Sequence, residues 1–198
     1  MIYLASKSPR RTQLLDQIGV QHSVIEIAVD ETLNPRVTAK ENVVALSTKK
    51  CQEGVRYTLS RNMVSFPVLA ADTMVVLGEE IFGKPTSTED AIGMLHKLSG
   101  KVHSVITGVT VGIISSDKAN FHSIAVESLV EFSKLSRLDC KRYCSTNEPF
   151  DKAGAYGIQG YGSVFVKRIE GSYSNIVGLP MHEAAMLFKK LNIPFWLN

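Results

Sequence analysis

The chain has 198 residues, 44% of them hydrophobic and 21% charged, with a formal net charge of +3. That balance suits a globular protein with ample material for a core, and the length fits one domain, 1–198, or one domain with two lobes around a cleft. No apolar run approaches the ~18 residues of a membrane span, and so small a positive excess gives no argument for nucleic acid or a membrane surface as partner.

Ile2 to Ala5 read as a short apolar strand running in from the N-terminus, with no signal-peptide layout before it. Ser8 is a natural N-cap and Pro9 a natural first helical residue, and Leu14, Leu15 and Ile18 recur at helical spacing up to Gly19. Arg10 and Arg11 then fall in the first turn, where an exposed cation opposes the helix dipole by roughly 0.3–1 kcal/mol. An anion docked among the arginines and the free N–H groups removes that penalty; two solvated surface arginines are the alternative.

Thr38 and Glu41 have capping-box spacing and open a helix expected to run to about Gly54. Its stripe is Val43, Leu46 and Lys50, so a lysine continues an apolar face. Residues 55–66 read as a surface connection. Pro67 to Ala71 form a short buried strand, and Thr73 to Leu77 continue it after Asp72; "GEE" at 78–80 turns, and Ile81 begins a return strand.

Ser87 and Asp90 cap a helix carrying Ala91, Met94, Leu95 and Leu98, stopped by Gly100. Val105, Val109, Val111 and Ile113 alternate, as do Ile124, Val126, Val130 and Phe132, giving two long antiparallel strands joined through "SSDKAN". Ser136 opens a short helix to about Ser145. A glycine-rich loop, a strand at Ser163 to Ile169 and a final helix from Pro180 complete the chain. Alternation of strand and helix followed by hairpins predicts an α/β fold with a mixed, twisted sheet and flanking helices.

Asp72 is the most informative acid. A carboxylate between "VLAA" and "TMVVL" interrupts apolar strand sequence, where an unpaired charge would be penalised by several kcal/mol. It must hold a metal, pair with a cation or act on a substrate, unless it simply caps the strand end. Lys84 in "GKP" and Glu31 in "VDET" are weaker signals, each readable as a surface charge. "KAGAYGIQGYG", 152–162, supplies a backbone that can pass close to a ligand and an amide at Gln159, without the spacing of a Walker loop or a dinucleotide fingerprint. No Ser-His-Asp set, HExxH or paired CxxC is present, and the five histidines are scattered. The three cysteines lack disulfide or metal spacing and read as reduced thiols of a cytoplasmic protein. Several cations, a strand-end carboxylate and an amide-bearing loop suit a polyphosphate ester.

Taken together, "LASKSPRR" (4–11), "VLAADTMVV" (68–76), "GKP" (83–85), "MLHKLSGKVHSVITGV" (94–109), "EPFDKAGAYGIQG" (148–160) and "GSYSNIVGLP" (171–180) resemble the Maf family of nucleoside triphosphate pyrophosphatases over nearly the whole chain. The resemblance implies an inosine-triphosphate-pyrophosphatase-like fold and Mg²⁺- or Mn²⁺-dependent cleavage between the α and β phosphates. It implies Asp72 as proton acceptor for the attacking water. Ser6, Arg11, Lys50 and Lys84 are implied as phosphate grips, and Glu31, with Asp72, as the metal-side acid. Arg10, Thr73 and Gln159 fall at the three positions tied to substrate selection, and "SPRR", "ADT" and "IQG" match the branch acting on dTTP and UTP. The branch acting on 7-methyl-GTP shows "SDQ" and "SEG" instead.

Two departures stand out: Lys7 replaces a small residue, and Lys49-Lys50 replaces a common Glu-Lys, with helical phase favouring Lys50 toward the cleft. The same chemistry on modified nucleotides, and a nucleotide-binding regulator of cell division without turnover, stay open beside the dTTP/UTP reading, as does a homodimer.

Overall fold

A computed structural model describes residues 1–115 and 118–196; Ser116 and Asp117, within the "SSDKAN" turn, lie outside the described residues. The strands are β1 (Ile2–Leu4), β2 (His22–Val24), β3 (Val68–Leu77), β4 (Glu80–Phe82), β5 (Val102–Ser115), β6 (Lys118–Phe132) and β7 (Val166–Glu170). The helices are α1 (Pro9–Gln17), α2 (Ala39–Ser60), α3 (Thr88–Leu98), α4 (Arg137–Cys144), α5 (Tyr173–Val177) and α6 (Met181–Lys190). The sheet is seven-stranded and mixed, in the order β2-β1-β3-β5-β6-β7, with β4 pairing β3. β1 is parallel to both β2 and β3, while β4 is antiparallel to β3 and β7 to β6. This is the α/β architecture the sequence predicts.

The chain divides into two compact units. Met1–Asp72, Thr107–Val126 and Gly178–Asn198 make the first; Thr73–Ile106 and Glu127–Val177 make the second. In the first, Tyr3, Ala5, Ile25, Val55, Val68 and Ala70 pack α2 on β1 and β3. α2 starts on a complete capping box, Thr38 accepting from the Glu41 N–H while Glu41 accepts from the Thr38 N–H.

The helix does not end at Gly54 but runs on to Ser60, so 55–60 are helical, with Val55 and Thr58 buried. Gly54 is there for contact: a Cβ would stand 2.8 Å from Val68 Cγ1 and 3.1 Å from Ala5 Cβ. A second glycine works the same way, since a Cβ on Gly108 would stand 2.4 Å from the Val43 carbonyl oxygen. α2 therefore rests flush on the sheet at both points.

In the second unit Ser87 caps α3 through the Asp90 N–H, and Gly100 follows that helix at φ +67°. Phe132, fully buried, is the hub of the core. Its ring meets His103, Tyr156 and Phe165 edge-on at centroid distances of 4.9, 4.7 and 6.0 Å. Burying such a ring contributes about 2–3 kcal/mol before ring–ring geometry is added. His103 Nε2 lies 2.9 Å from the Tyr156 hydroxyl, and burial pulls the imidazole pKa down to about 4.

Three further sequence expectations need correction. The segment expected as a strand from Ser163 begins as a 3₁₀ turn, Tyr161–Phe165, and β7 starts only at Val166. β2 and α5 are additional elements. Ser8 is the N-cap of α1 by position, yet its side chain makes no capping bond; its N–H donates to Ser6 Oγ instead, at 3.2 Å. Among the described residues no helix is long and apolar enough to cross a membrane.

Candidate active site

The first unit gathers charge just beyond β1 and along β3, whose fifth residue is Asp72, so the carboxylate expected at a strand end stands in mid-strand. Ser6 follows β1, and its hydroxyl accepts from Arg11 Nη1 at 3.0 Å, while Arg11 Nε donates to the Gly178 carbonyl at 2.8 Å. The guanidinium is thus tied both to the turn before α1 and to the backbone just after α5. Burial lowers its pKa from the usual arginine value; Asp72 and Glu31 oppose that shift and Arg10 adds to it, so all four charges share one field.

Asp72, the last residue of the first unit, has only 12% of its side chain exposed. Lys50 reaches it from α2 at 2.6 Å and at the same time meets Glu31 at 2.7 Å. The lysine side chain is 13% exposed and that of Glu31 57%, so the bridge joins a buried acid to an exposed one. Removing one partner of a buried ion pair leaves an uncompensated charge, which is strongly destabilising. Here one ammonium serves two carboxylates, and its loss would leave two like charges facing each other.

Lys49, one residue earlier, turns to the Asp30 carbonyl at 2.6 Å and stays exposed. Lys7 pairs with Glu26 at 3.4 Å, both exposed. Among the described residues, no three His, Cys, Asp or Glu side chains converge as a metal cage; the carboxylates at Lys50 number two.

Thr73, Lys84 and Gln159 belong to the second unit. Thr73 is half-buried in β3, and Lys84 is exposed between Gly83 and the buried Pro85. The Gly83 carbonyl accepts from the Gly154 N–H at 3.0 Å, which ties "GKP" to the glycine-rich loop. Gln159 is exposed at the tip of that loop.

Sequence reasoning overlooked what holds the loop. Glu148 accepts from the N–H of Tyr161 at 2.8 Å, from the N–H of Gly162 at 3.0 Å and from the Tyr143 hydroxyl at 2.8 Å; the Gly157 N–H donates to that hydroxyl at 3.1 Å. Burial alone would raise the Glu148 carboxyl pKa, but these donors, with Lys152, outweigh it and hold the group below its ordinary value. The available signal was the alternation of glycines at 157, 160 and 162 downstream of an acid.

The chain belongs to the Maf family: the model of that family, described as Maf-like protein, matches residues 1–191. It is 43% identical over 190 residues to a dTTP/UTP pyrophosphatase of Caldicellulosiruptor bescii, covering 96% of this chain and 94% of that protein. It is also 42% identical over 197 residues to a dTTP/UTP pyrophosphatase of Alkalilimnicola ehrlichii, covering 98% and 94%. A nucleoside triphosphate pyrophosphatase of Haemophilus ducreyi is 39% identical over 192 residues, covering 97% and 95%.

Proposed function

We propose that the protein is a hydrolase acting on acid anhydrides, cleaving dTTP and UTP to the monophosphate and pyrophosphate, with residues 1–198 as one catalytic domain. The observation that carries this reading is the cluster of Asp72, Lys50, Glu31 and Arg11, in a chain about 43% identical to proteins named for that reaction.

The Asp72 carboxylate takes a proton from water as the water oxygen bonds the α-phosphorus; the bond from that phosphorus to the α–β bridging oxygen breaks, and pyrophosphate leaves. Ser6, Arg11, Lys50 and Lys84 grip the phosphates and offset the charge that accumulates on the leaving group. Lys50 bridges both carboxylates before substrate enters, and phosphate oxygens then compete for its ammonium. Glu31 and Asp72 would hold a divalent metal, Mg²⁺ or Mn²⁺. Two carboxylates with substrate oxygens and water make up the oxygen-rich set that such a hard cation takes. When bound it would withdraw charge from the phosphoryl oxygens.

Arg10, Thr73 and Gln159 select the base, the Gln159 amide pairing with the O4 and N3–H edge of thymine or uracil. Three buried, unbridged cysteines support a reducing compartment, the cytoplasm.

The test is a turnover screen of nucleoside triphosphates, 7-methyl-GTP included, with pyrophosphate as readout. Pyrophosphate and the monophosphate from dTTP and UTP are expected. Orthophosphate with a nucleoside diphosphate, or binding without turnover, would overturn the reading. Gln159→Ala should weaken discrimination against CTP more than it slows dTTP turnover.

A further inference from the structure

Ile158, Gln159 and Gly160 form a short loop whose two flanks are fastened to one pair of side chains. On the entering side the Gly157 N–H donates to Tyr143 Oη at 3.1 Å. On the leaving side the N–H groups of Tyr161 and Gly162 donate to the two oxygens of Glu148, at 2.8 and 3.0 Å. The pair is closed by the phenol's own proton, which Tyr143 donates to Glu148 Oε1 at 2.8 Å. Tyr143 is buried on α4, and Lys152 Nζ holds the backbone carbonyl of Glu148 at 2.7 Å, so the clamp is itself anchored.

The glycines are spaced to let the backbone reach it. A Cβ on Gly160 would stand 2.0 Å from Glu148 Oε2, and one on Gly162 would stand 2.8 Å from Tyr143 Oη. A side chain at Gly160 would have to displace the carboxylate, and one at Gly162 the phenol and the Gly157 backbone. A half-buried carboxylate that accepts from two backbone N–H groups and a phenol fixes those donors in direction as well as distance.

We propose that the Tyr143–Glu148 pair is the positioning device for substrate selection: it holds the 158–160 loop so that the Gln159 amide meets the base at one fixed angle. This rests on Gln159 being the base-reading residue. Glu148 touches no reacting atom in this assignment; it acts through Gln159. Glu148→Gln keeps the shape, but its NH₂ group then faces one of the donors that the carboxylate accepted, freeing the loop on one side. Tyr143→Phe frees the other side.

The experiment compares kcat/KM for dTTP, UTP and CTP in the parent, Glu148→Gln, Tyr143→Phe, Gln159→Ala and the double variant Glu148→Gln with Gln159→Ala. Each clamp variant should lower the dTTP-to-CTP preference about tenfold, through KM for dTTP more than through kcat. The double variant should show the preference of Gln159→Ala with no further loss, because the clamp has nothing left to position. Tyr143→Phe, which removes a single oxygen, answers the question if Glu148→Gln does not fold.

Unchanged preference in a clamp variant while Gln159→Ala shifts it overturns the clamp and leaves the base-reading role standing. An additional loss in the double variant also overturns it, because Glu148 would then act independently of Gln159. Unchanged preference in Gln159→Ala alone overturns the base-reading role itself, and the clamp proposal with it.

Discussion

Two acids, one in each unit, are held in opposite ways. Asp72 is bound by a charged, flexible lysine that it shares with Glu31, at 2.6 and 2.7 Å. Glu148 is bound by two backbone N–H groups and a phenol, none of which can leave or carry charge away. An ammonium on a four-carbon stem can be drawn off by incoming phosphate, which frees the acid for work at that moment. Backbone donors offer no such exchange, and an acid saturated by them is a fixture. The first arrangement suits a group that must change partners during a reaction; the second suits one that must hold a shape.

The strongest way to break this comparison is Asp72→Asn. It keeps the shape, removes basicity and leaves Lys50 its Glu31 partner. We expect kcat for dTTP to fall 10²–10⁴-fold, with melting temperature and nucleotide affinity close to the parent's. Turnover within about threefold of the parent would leave Asp72 only its ion pair with Lys50 in mid-strand.

Acid should expose the second unit's reliance on neutral partners. His103, facing the Tyr156 hydroxyl and the Phe132 ring, has its pKa pulled down to about 4 by burial, below the ordinary imidazole value. Between the two values the unfolded chain binds the proton more readily than the folded one. The histidine's contribution is therefore complete above about pH 6.5 and is lost as pH falls toward about 4, amounting to about 3 kcal/mol. Denaturant melts across that window should show the slope in the parent and a shallower one in His103→Gln.

Lys50→Met sharpens the contrast from the other side. With its cation gone, Asp72 faces Glu31 directly, and stability should fall by about 2 kcal/mol at neutral pH. That loss is readable in thermal melts of the parent and the variant side by side. The smallest effect belongs to Gly160→Ala, whose new methyl must push Glu148 aside. Selectivity for dTTP over CTP should drop by about tenfold while the melting temperature moves by only a few degrees. A variant with parental selectivity would show that the loop has slack.

Local chemistry made much of the fold legible in advance. The caps at Thr38, Ser87 and Ser136 are written in residues three apart, and all three form. Asp72 was visible because its charge breaks an apolar strand. Lys50 was visible because it falls in phase with Val43, and it is Lys50 whose ammonium meets Asp72 and Glu31, while Lys49 turns to Asp30. Gly54 misled because a glycine is the usual helix stop, whereas its purpose here lies in Val68, fourteen positions further along the chain. β2 escaped notice because "HSV" has no apolar alternation; its pairing comes from β1, with Ile2 opposite His22. Glu148 escaped notice because the groups it holds are backbone N–H groups, which leave no mark in side-chain identity beyond the glycines that give them room.

The two glycines beneath α2 carry a practical consequence. Lys50 lies between the contact of Val43 with Gly108 and that of Gly54 with Val68 and Ala5, so the helix is pinned on either side of the residue proposed to grip phosphate. Replacing a hydrogen by a methyl at either pin would raise the helix by about 1 Å, because the sheet beneath is close-packed and cannot give way. The ammonium would rise with it, and a displacement of that size is enough to cost a reaction about a hundredfold. Anyone seeking to retune this enzyme by laboratory evolution should therefore treat Gly54 and Gly108 as the set-screws of the lysine, and direct diversity to the loop around Gln159 instead.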